Sequence, residues 1–503
     1  MKLLFNDLSG GINTSDTKLN LSLQTKKVFS SEAINVELFS DFGIKRQNGN
    51  SLIISLPSID DVTQSVTSLF FVQHFLLITS SLGNIYSFNL SSNNLSLLFQ
   101  NQHGDSSYSF ANFLNGTIIV NGVDNPLFFN PSSNSVQQLS LTSSNGTSIK
   151  GESVAVFKSR LFISQDNVLF FSALGSYNDF SSSDDAGFIN NFHVDSTKII
   201  SLISYKDYLA IYKPNKTYLL SGTSPDDFSI SLFADKGSSS HKGLTTVNNR
   251  QYFISNGLFA LSQSGELNQI VLSDNIAHNI SSVFNSLNQN YIDSIIMLPY
   301  EKKNQIWCFL PVHNSKYINN VFIFDYYNKS WVQRVIPFNI TAACSSPSNI
   351  YTADSMGNVY IEDYGASFNG VPISFSWKTQ FFSLGHPNLF KSIEEFFLIL
   401  DSSSENKFIF STFKNYDELF EDDYEAVFLT DLNNMIWDDD SSSWDSNDSS
   451  SIQYHNSWSN IFETDYKLEI SESVKSVQLA FKGDSLSHDL AIVGIDFREL
   501  LYD

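Results

Sequence analysis

The chain has 503 residues, a length that favours two or three domains over one. It carries 52 acidic against 29 basic residues, for a formal net charge of −23, and only five of its residues are arginine. This balance argues against wrapping nucleic acid through phosphate contacts, which require Lys and Arg. Aromatic residues make up 14% of the chain and charged residues only 16%, a bias that favours β-strands with a surface solvated mainly by Ser, Asn and Thr.

Residues 1–65 form the first predicted domain. They contain a Gly-Gly turn at 10–13, an apolar segment at 33–38, a turn at 41–43 and a short strand after it. These elements lack the repeating pattern of short strands and tight turns that residues 66–365 show. We interpret the region as an N-terminal arm that packs on another domain or on a neighbouring subunit. The alternative is an N-terminal strand that closes the first blade of a propeller.

Residues 66–365 repeat one meander of short strands and tight turns, and they form the second predicted domain. The repeat is clearest at 236–273, where strands at 244–247, 251–255, 257–262 and 268–272 alternate with Asn and Gly turns. Four antiparallel strands in about 40 residues are the content of one β-propeller blade. We count seven such units, at 68–99, 107–141, 153–180, 198–233, 236–273, 294–336 and 339–364. Six blades remain possible if one unit belongs to a neighbouring domain.

Residues 366–503 form the third predicted domain, which has longer strands. The strands are predicted at 371–378, 394–400, 407–412, 424–429, 466–470, 476–481 and 490–497. Their number and alternation suit a β-sandwich-like platform. An acidic stretch at about 432–462 is predicted to be a long exposed loop, because such a run repels itself and is too polar to pack. The predicted fold class is therefore all-β: a propeller of about six or seven blades, an N-terminal arm and a β-sandwich-like domain.

We find no strong enzymatic pattern, and the nine histidines lie at no metal-ligand spacing. Clustered carboxylates in the acidic loop are weak candidates for a Ca²⁺ site, at Asp438, Asp440 and Asp445. The run lacks the Gly and the bidentate Glu of an EF-hand loop, so we predict no metal and no cofactor. No run of about 20 apolar residues occurs, so no stable membrane insertion is expected.

Several aromatic and sulfur side chains have two interpretations. Trp307, Trp331, Trp377 and the pair Tyr326-Tyr327 could floor a sugar-binding funnel, although core packing is expected for the tryptophans in strands. The two cysteines, at 308 and 344, are expected to be buried free thiols, and a disulfide between them has no support.

The order of motifs and predicted domains along the chain resembles that of the tail nozzle proteins of short-tailed bacteriophages, also called packaged-DNA stabilisation or tubular tail proteins. Four groups of motifs carry the resemblance over some 380 residues: GGIN at 10–13 with EAINVE at 32–37 and GIKRQNG at 43–49; HKGL at 241–244 with NGLFAL at 256–261; IWCFLP at 306–311 with VFIFDY at 321–326 and Trp331; and GVPI at 370–373 with TQF at 379–381 and Lys391. The acidic loop is not covered by it.

The resemblance implies a non-enzymatic virion protein in the phage tail. About six copies would form a ring below the portal and adaptor, which continues the DNA channel and gates its exit. The implied partners are other copies of the chain, the tail adaptor and a tail fibre, spike or needle protein. Genomic DNA would pass through without sequence-specific binding. We expect subunit contacts in the final domain and around the N-terminal arm, since neither has a complete blade of its own; in the arm the candidates are Gly10, Gly11, Asn35, Gly43, Arg46 and Gly49.

The acidic composition suits such a conduit, because carboxylates repel phosphates. We expect part of the excess acid to line the lumen of the ring. One alternative is a carbohydrate- or receptor-binding propeller, on a tail tip or secreted. Another is a propeller glycosidase, which requires two carboxylates about 5–10 Å apart over a pocket; nothing in the sequence selects such a pair.

Overall fold

A computed structural model describes residues 3–24, 26–38, 43–100, 102–104, 106–182, 184–192, 195–264, 269–401, 406–418, 422–428, 463–484 and 491–502. The predicted acidic loop at about 432–462, with Asp438, Asp440 and Asp445, lies outside these residues. Helices in the described ranges are short: α1 (Lys18–Ser22), α2 (Ser281–Asn285) and 3-10 turns at His278–Ile280, Gln289–Ser294 and Glu301–Lys303. None of them has the length and apolar character needed to cross a bilayer.

The N-terminal region contributes five strands: β1 (Leu3–Phe5), β2 (Ser30–Ile34), β3 (Val36–Leu38), β4 (Ile44–Arg46) and β5 (Asn50–Ser55). Four of the five pair with strands far away in sequence, and β3 pairs with β4. β1, β3 and β4 join a sheet whose other strands lie after residue 390, β2 lies between the strands at 330–335 and 375–379, and β5 joins a sheet of strands from 340–372. The region predicted as an arm is therefore woven into the rest of the chain.

The middle of the chain folds into small antiparallel sheets of four strands, which we call units 1 to 7. Units 1 to 3 contain β6 (Val66–Val72), β7 (Phe75–Ser80), β8 (Ile85–Asn89) and β9 (Asn94–Phe99); β10 (Ser109–Phe113), β11 (Gly116–Val120), β12 (Leu127–Asn130) and β13 (Ser135–Gln138); and β14 (Ser153–Phe157), β15 (Arg160–Gln165), β16 (Val168–Phe171) and β17 (Gly187–Ile189). Units 4 and 5 contain β18 (Ser201–Tyr205), β19 (Tyr208–Tyr212), β20 (Thr217–Ser221) and β21 (Ser229–Ala234); and β22 (Leu244–Val247), β23 (Arg250–Ser255), β24 (Gly257–Gln263) and β25 (Ile270–Leu272).

Unit 6 contains β26 (Ile296–Tyr300), β27 (Gln305–Leu310), β28 (Asn320–Asp325) and β29 (Ser330–Val335). Unit 7 takes β30 (Ile340–Ser345), β31 (Ile350–Asp354) and β32 (Asn358–Glu362) from this part of the chain. Its fourth strand is β5, which pairs antiparallel with β32 and places Asn50 opposite Glu362. The N-terminal strand thus completes the last unit, and the sequence alternative had assigned it to the first.

Neighbouring units share apolar cores, because a single four-stranded sheet cannot cover both of its own faces. Unit 7 packs back on unit 1: Ala342 and Ala353 share a buried cluster with Leu69 and Leu76. The first strands β30 and β6 lie against each other, as β10 and β14 do. The fold is therefore mostly β and propeller-like, as the sequence predicted.

The meander predicted at 236–273 is confirmed by unit 5, apart from residues 265–268, which lie outside the described ranges. Its first turn shows why the sequence was informative. Asn248 and Asn249 have φ of 48° and 58°, the left-handed conformation that both central residues of a type I′ hairpin turn require.

The last part of the chain adds β33 (Ser367–Phe368), β34 (Val371–Pro372), β35 (Phe375–Thr379), β36 (Lys391–Asp401), β37 (Asn406–Lys414), β38 (Asp422–Phe428), β39 (Glu463–Val474), β40 (Val477–Gly483) and β41 (Ala491–Tyr502). The short β33 and β34 attach to β5. One large sheet runs on from unit 6 in the order β29-β2-β35-β40-β37-β38, and another has the order β3-β4-β41-β36-β39, with β1 beside β41. These two sheets share a core, where the rings of Phe5 and Phe382 lie 4.6 Å apart and those of Phe382 and Phe497 5.5 Å apart.

Buried serines connect the first strands of successive units. Ser68, Ser109 and Ser153 each lie four residues before the end of their strand, and each hydroxyl accepts a backbone N–H from the next unit. The donors are Tyr108 at 3.3 Å, Val154 at 3.2 Å and Leu202 at 3.0 Å, respectively. Because a buried N–H must be paired, each hydroxyl sets the distance between two units as well as filling space.

We expect Ser109→Ala to lower the free energy of unfolding by about 1–2 kcal/mol, because it leaves the buried Val154 N–H without its acceptor. Urea unfolding measures the effect. The matched control is Ser107→Ala, which removes a hydroxyl from an exposed residue two positions earlier. Equal stability of the two variants would show that the hydroxyl does not hold the units together.

Candidate functional site: a buried junction between the N-terminal strap and units 6 and 7

The residues with the densest polar contacts meet where the N-terminal region crosses units 6 and 7. We call the described residues within 35–50 the strap, and the region of contact the junction. Arg334 of β29 lies at the centre and is 1% exposed. Its guanidinium donates to Gln47 Oε1 at 3.1 Å, the Asn48 carbonyl at 2.7 Å, the Gly49 carbonyl at 2.9 Å and Glu362 Oε2 at 2.6 Å. One side chain thus joins unit 6, the strap and unit 7.

Glu362 completes this pair from β32. Its other carboxylate oxygen, Oε1, accepts hydrogen bonds from Asn50 Nδ2 at 3.0 Å and from Thr352 Oγ1 at 2.7 Å. A buried ion pair is tolerated only when both charges are matched and their remaining hydrogen-bonding capacity is used. Glu362 meets that condition only when β5 is in place, because Asn50 is a residue of β5.

A second ionic cluster lies beside the first. The Lys303 ammonium contacts Glu37 of the strap at 2.8 Å and Asp363 at 2.7 Å, and the Tyr300 hydroxyl donates to Asp363 at 2.8 Å. Burial and the adjacent Asp363 carboxylate both raise the pKa of Tyr300 well above its usual value, so it stays protonated as a donor. The strap is therefore held by one ion pair, at Glu37, and by the neutral acceptors that it offers to Arg334.

Aromatic rings close the junction around the guanidinium. The carbon at the centre of the Arg334 guanidinium lies 5.3 Å from the ring centroid of Trp307 and 4.7 Å from that of Phe368, within cation–π range. The cavity between the two ionic clusters has a volume of about 10 Å³. That is room for about one water molecule. The arrangement can position backbone and bury charge, but it has no space for an organic substrate.

Three of the predicted assembly residues are glycines that lie close to backbone atoms of this same chain. A Cβ at Gly10 would lie 2.2 Å from the Val28 carbonyl oxygen, and one at Gly49 would lie 1.8 Å from the Ser367 carbonyl oxygen. Gly11 has φ of +67°, and its Cβ would lie 2.6 Å from the Trp331 carbonyl oxygen. Such contacts exclude any side chain at these positions.

The other three predicted assembly residues are also buried. Asn35, with φ of 53°, donates to the Ser374 carbonyl at 2.7 Å and accepts from the Val335 N–H at 2.8 Å. Arg46 donates to the Ala366 carbonyl at 3.4 Å, and Gly43 lies buried before β4. The structure thus brings Asn35, Arg46 and Gly49 to the junction. A contact of these six residues with a neighbouring subunit stays a prediction.

The aromatic candidates for sugar binding are mostly core residues. Trp307, Trp331 and Trp377 are 3%, 1% and 1% exposed, and a buried ring cannot floor an open pocket. Of the tyrosine pair, Tyr327 is 77% exposed and Tyr326 is partly buried. Cys308 and Cys344 are buried free thiols, as expected. Among the described residues, no three or more His, Cys, Asp or Glu side chains are grouped to hold a metal ion.

Sequence reasoning missed the charged residues of the junction: Arg334, Glu362, Lys303, Asp363 and Glu37. One signal was present. Arginine is rare in this chain, and Arg334 stands between Trp331, Val332 and Val335 in a segment that is predicted as a strand. A charged residue at such a position is expected to have a buried partner. Nothing in the sequence indicated that the partner is Glu362 or that the strap supplies three further acceptors.

Comparison with known proteins adds little to this picture. No protein family and no curated protein matches the sequence. Solved structures with partial similarity include a chain from a crystal structure of a mitotic checkpoint complex, with 11% identity, a TM-score of 0.40 and coverage of 62% of this chain and 98% of that one. Another is the computationally designed protein Ika8, with 10% identity, a TM-score of 0.38 and coverage of 62% and 99%. Similarity at this level carries no argument about function.

We expect Arg334→Met to lower the free energy of unfolding by about 3–5 kcal/mol, because Glu362 is left as a buried charge without its counter-ion. Urea unfolding followed by tryptophan fluorescence measures this, since Trp307 lies against Arg334.

The matched control for this variant is Lys378→Met, which breaks an ion pair with the partly exposed Glu418 and leaves Glu418 its second partner, Lys18. We expect Lys378→Met to lower the free energy of unfolding by less than about 1 kcal/mol. If the two variants lose the same stability, the junction is not the clamp described above.

Proposed function

We propose that the chain is a structural protein of a phage tail: a nozzle subunit that forms a ring below the portal and adaptor and continues and gates the DNA exit channel. One observation carries the proposal. Motifs of the resemblance that are far apart in sequence, in the first 50 residues, at 306–331 and at 370–381, meet in and around the junction. A resemblance that rests on short motifs in separate segments has more weight when those segments depend on one another in space.

The contacts among these motifs are specific. Gly11 packs on the backbone of Trp331, and Asn35 bridges β29 to the Ser374 carbonyl, one residue after the motif at 370–373. Gln380 of the motif at 379–381 accepts from the Phe29 N–H at 3.0 Å and donates to the Gln24 carbonyl at 3.0 Å. The motif residues are therefore those that fasten the N-terminal region to the two parts it joins.

The finer architecture proposed with this function is a seven-bladed propeller beside a β-sandwich-like platform. Units 1 to 7 supply the blades, and β5 closes the seventh. Pairing of β2 with β29 makes unit 6 continuous with a platform sheet. A rigid connection of this kind suits a part that must hold its shape against packaged DNA.

Charge supports the same function. At −23, the chain repels the phosphates of a passing duplex, and its five arginines offer few bidentate phosphate contacts. In the proposed ring of about six copies, part of the excess acid lines the lumen, so DNA slides through without sequence-specific binding. The adaptor and a fibre, spike or needle protein are the proposed neighbours above and below, and no catalytic step belongs to this function.

The test is electron microscopy of the purified full-length chain, with symmetry as the readout. We expect a ring of about six copies with an axial hole that is wide enough for a DNA duplex and lined by carboxylates. Because the wall repels phosphate, a mobility-shift assay with duplex DNA should show no stable complex at physiological salt.

A single propeller that stays monomeric at high protein concentration, with reproducible binding on a glycan array, would contradict the nozzle proposal. It would favour the carbohydrate- or receptor-binding alternative, for which the exposed Tyr327 would be the first residue to mutate. A ring with a basic lumen would contradict only the expectation that carboxylates line the channel.

A further inference from the structure

Lys242 sends its side chain from one side of the propeller-like ring towards the other. The residue lies just before β22 of unit 5, its backbone forms a bridge with Ile296 of unit 6, and its carbonyl accepts the Met297 N–H at 2.9 Å. Its ammonium donates to the hydroxyl of Ser68, on β6 of unit 1, at 2.7 Å. Unit 7 lies between units 6 and 1, so the hydrogen bond between Lys242 and Ser68 crosses the inner end of unit 7.

The groups gathered at this point are hydrogen-bond donors. A lysine ammonium has three N–H donors and no acceptor, and one of the three is used on Ser68. The Ser68 oxygen also accepts the Tyr108 N–H, so both of its lone pairs are occupied and its own hydrogen is left to donate. Within the described ranges, no carboxylate lies within 4.0 Å of the Lys242 ammonium.

The titratable neighbours do not supply a negative charge. Burial raises the pKa of the Cys344 thiol to about 12, so it is neutral at pH 7. Burial, together with the charge of Lys242, lowers the pKa of His241 to about 4, and its Nδ1 lies 3.1 Å from the Ile200 carbonyl oxygen. Burial lowers the pKa of Lys242 itself to about 8, so its ammonium keeps its proton at neutral pH. Lys198, which also acts on His241, is exposed and interacts with the carboxylate of Glu152 as well.

We propose that Lys242 and Ser68 bind a small inorganic anion of halide size at the inner end of the first strands. The physical reason is that a half-buried cation without a counter-ion within 4.0 Å among the described residues is costly, and an anion supplies both charge and acceptor. Lys242 remains partly exposed, so an ion can reach it from the interior of the ring. The site is independent of the proposed function, and it would exist in a monomer as well as in a ring.

Crystals of the full-length chain soaked in sodium bromide test the site directly, because bromide is located by its anomalous scattering. The wild-type chain should show a bromide in hydrogen-bond contact with Lys242 Nζ. Lys242→Met should lose that bromide. The matched control Lys302→Met removes a lysine charge from an exposed position and should retain it.

A second measurement works in solution. The midpoint of thermal unfolding should rise with bromide concentration more steeply for the wild-type chain and for Lys302→Met than for Lys242→Met, because binding to the folded state stabilises it. General salt effects act on all three chains and cancel in the comparison. If Lys242→Met does not fold, Lys242→Gln takes its place.

Two results would overturn the proposal: wild-type crystals without bromide at Lys242, or a bromide peak that persists in the Lys242 variant. Identical bromide dependence of the unfolding midpoint in all three chains would also overturn it, and would mean that water satisfies the donors. None of these results bears on ring formation, so failure of this site and failure of the nozzle proposal are separate outcomes.

Discussion

The buried ion pair between Arg334 and Glu362 is the interaction on which the rest of the structure depends. Two charges at this depth are tolerated because both terminal nitrogens of Arg334 and both carboxylate oxygens of Glu362 have polar partners, and the N-terminal strap supplies most of those partners. If the strap detached, Arg334 would lose the acceptors of Gln47, Asn48 and Gly49, and Glu362 would lose the Asn50 donor. The position of the strap therefore depends on the charge of Arg334 in β29.

The same interaction lies where the N-terminal strap meets units 6 and 7, which are far away in sequence. β5 completes unit 7, and unit 7 packs back on unit 1, so the ring is closed by a strand from the opposite end of the sequence. Closure of this kind protects the edge of β32, which would otherwise present unpaired backbone groups to solvent. β1, β2 and β4, which precede β5, pair with strands of the C-terminal region, so the chain that leads into the closing strand is anchored there.

The sequence predicted the local structure well, because local structure depends on turn chemistry and on alternation. The strands of unit 5 and most strands after residue 366 were found from these signals, and Asn248-Asn249 was recognised as a hairpin turn. A further local signal was present and not used: Ser68, Ser109, Ser153 and Ser201 each open a five-residue segment that ends in an apolar or aromatic residue at the end of a first strand.

Long-range pairing could not be predicted in the same way. Nothing near Asn50 in sequence shows that β5 pairs with β32, some 300 residues later, because the partner of a strand is chosen by the whole fold. The junction was missed for the same reason. Gly49 and Asn35 were selected as assembly residues from the resemblance, and the structure adds the contacts inside the chain that require a glycine and an asparagine there.

The measurement that tests the central claim most directly is native-state hydrogen exchange of the strap and β5, read by mass spectrometry on peptides that cover residues 44–55. Because the strap and the ion pair stabilise each other, we expect these amides to exchange as slowly as those of β29 and β32, only when the whole structure unfolds. Fast exchange of 44–55 while β29 and β32 stay protected would contradict it. That result would mean that the ring closes without the N-terminal strand and that the buried pair is satisfied in another way.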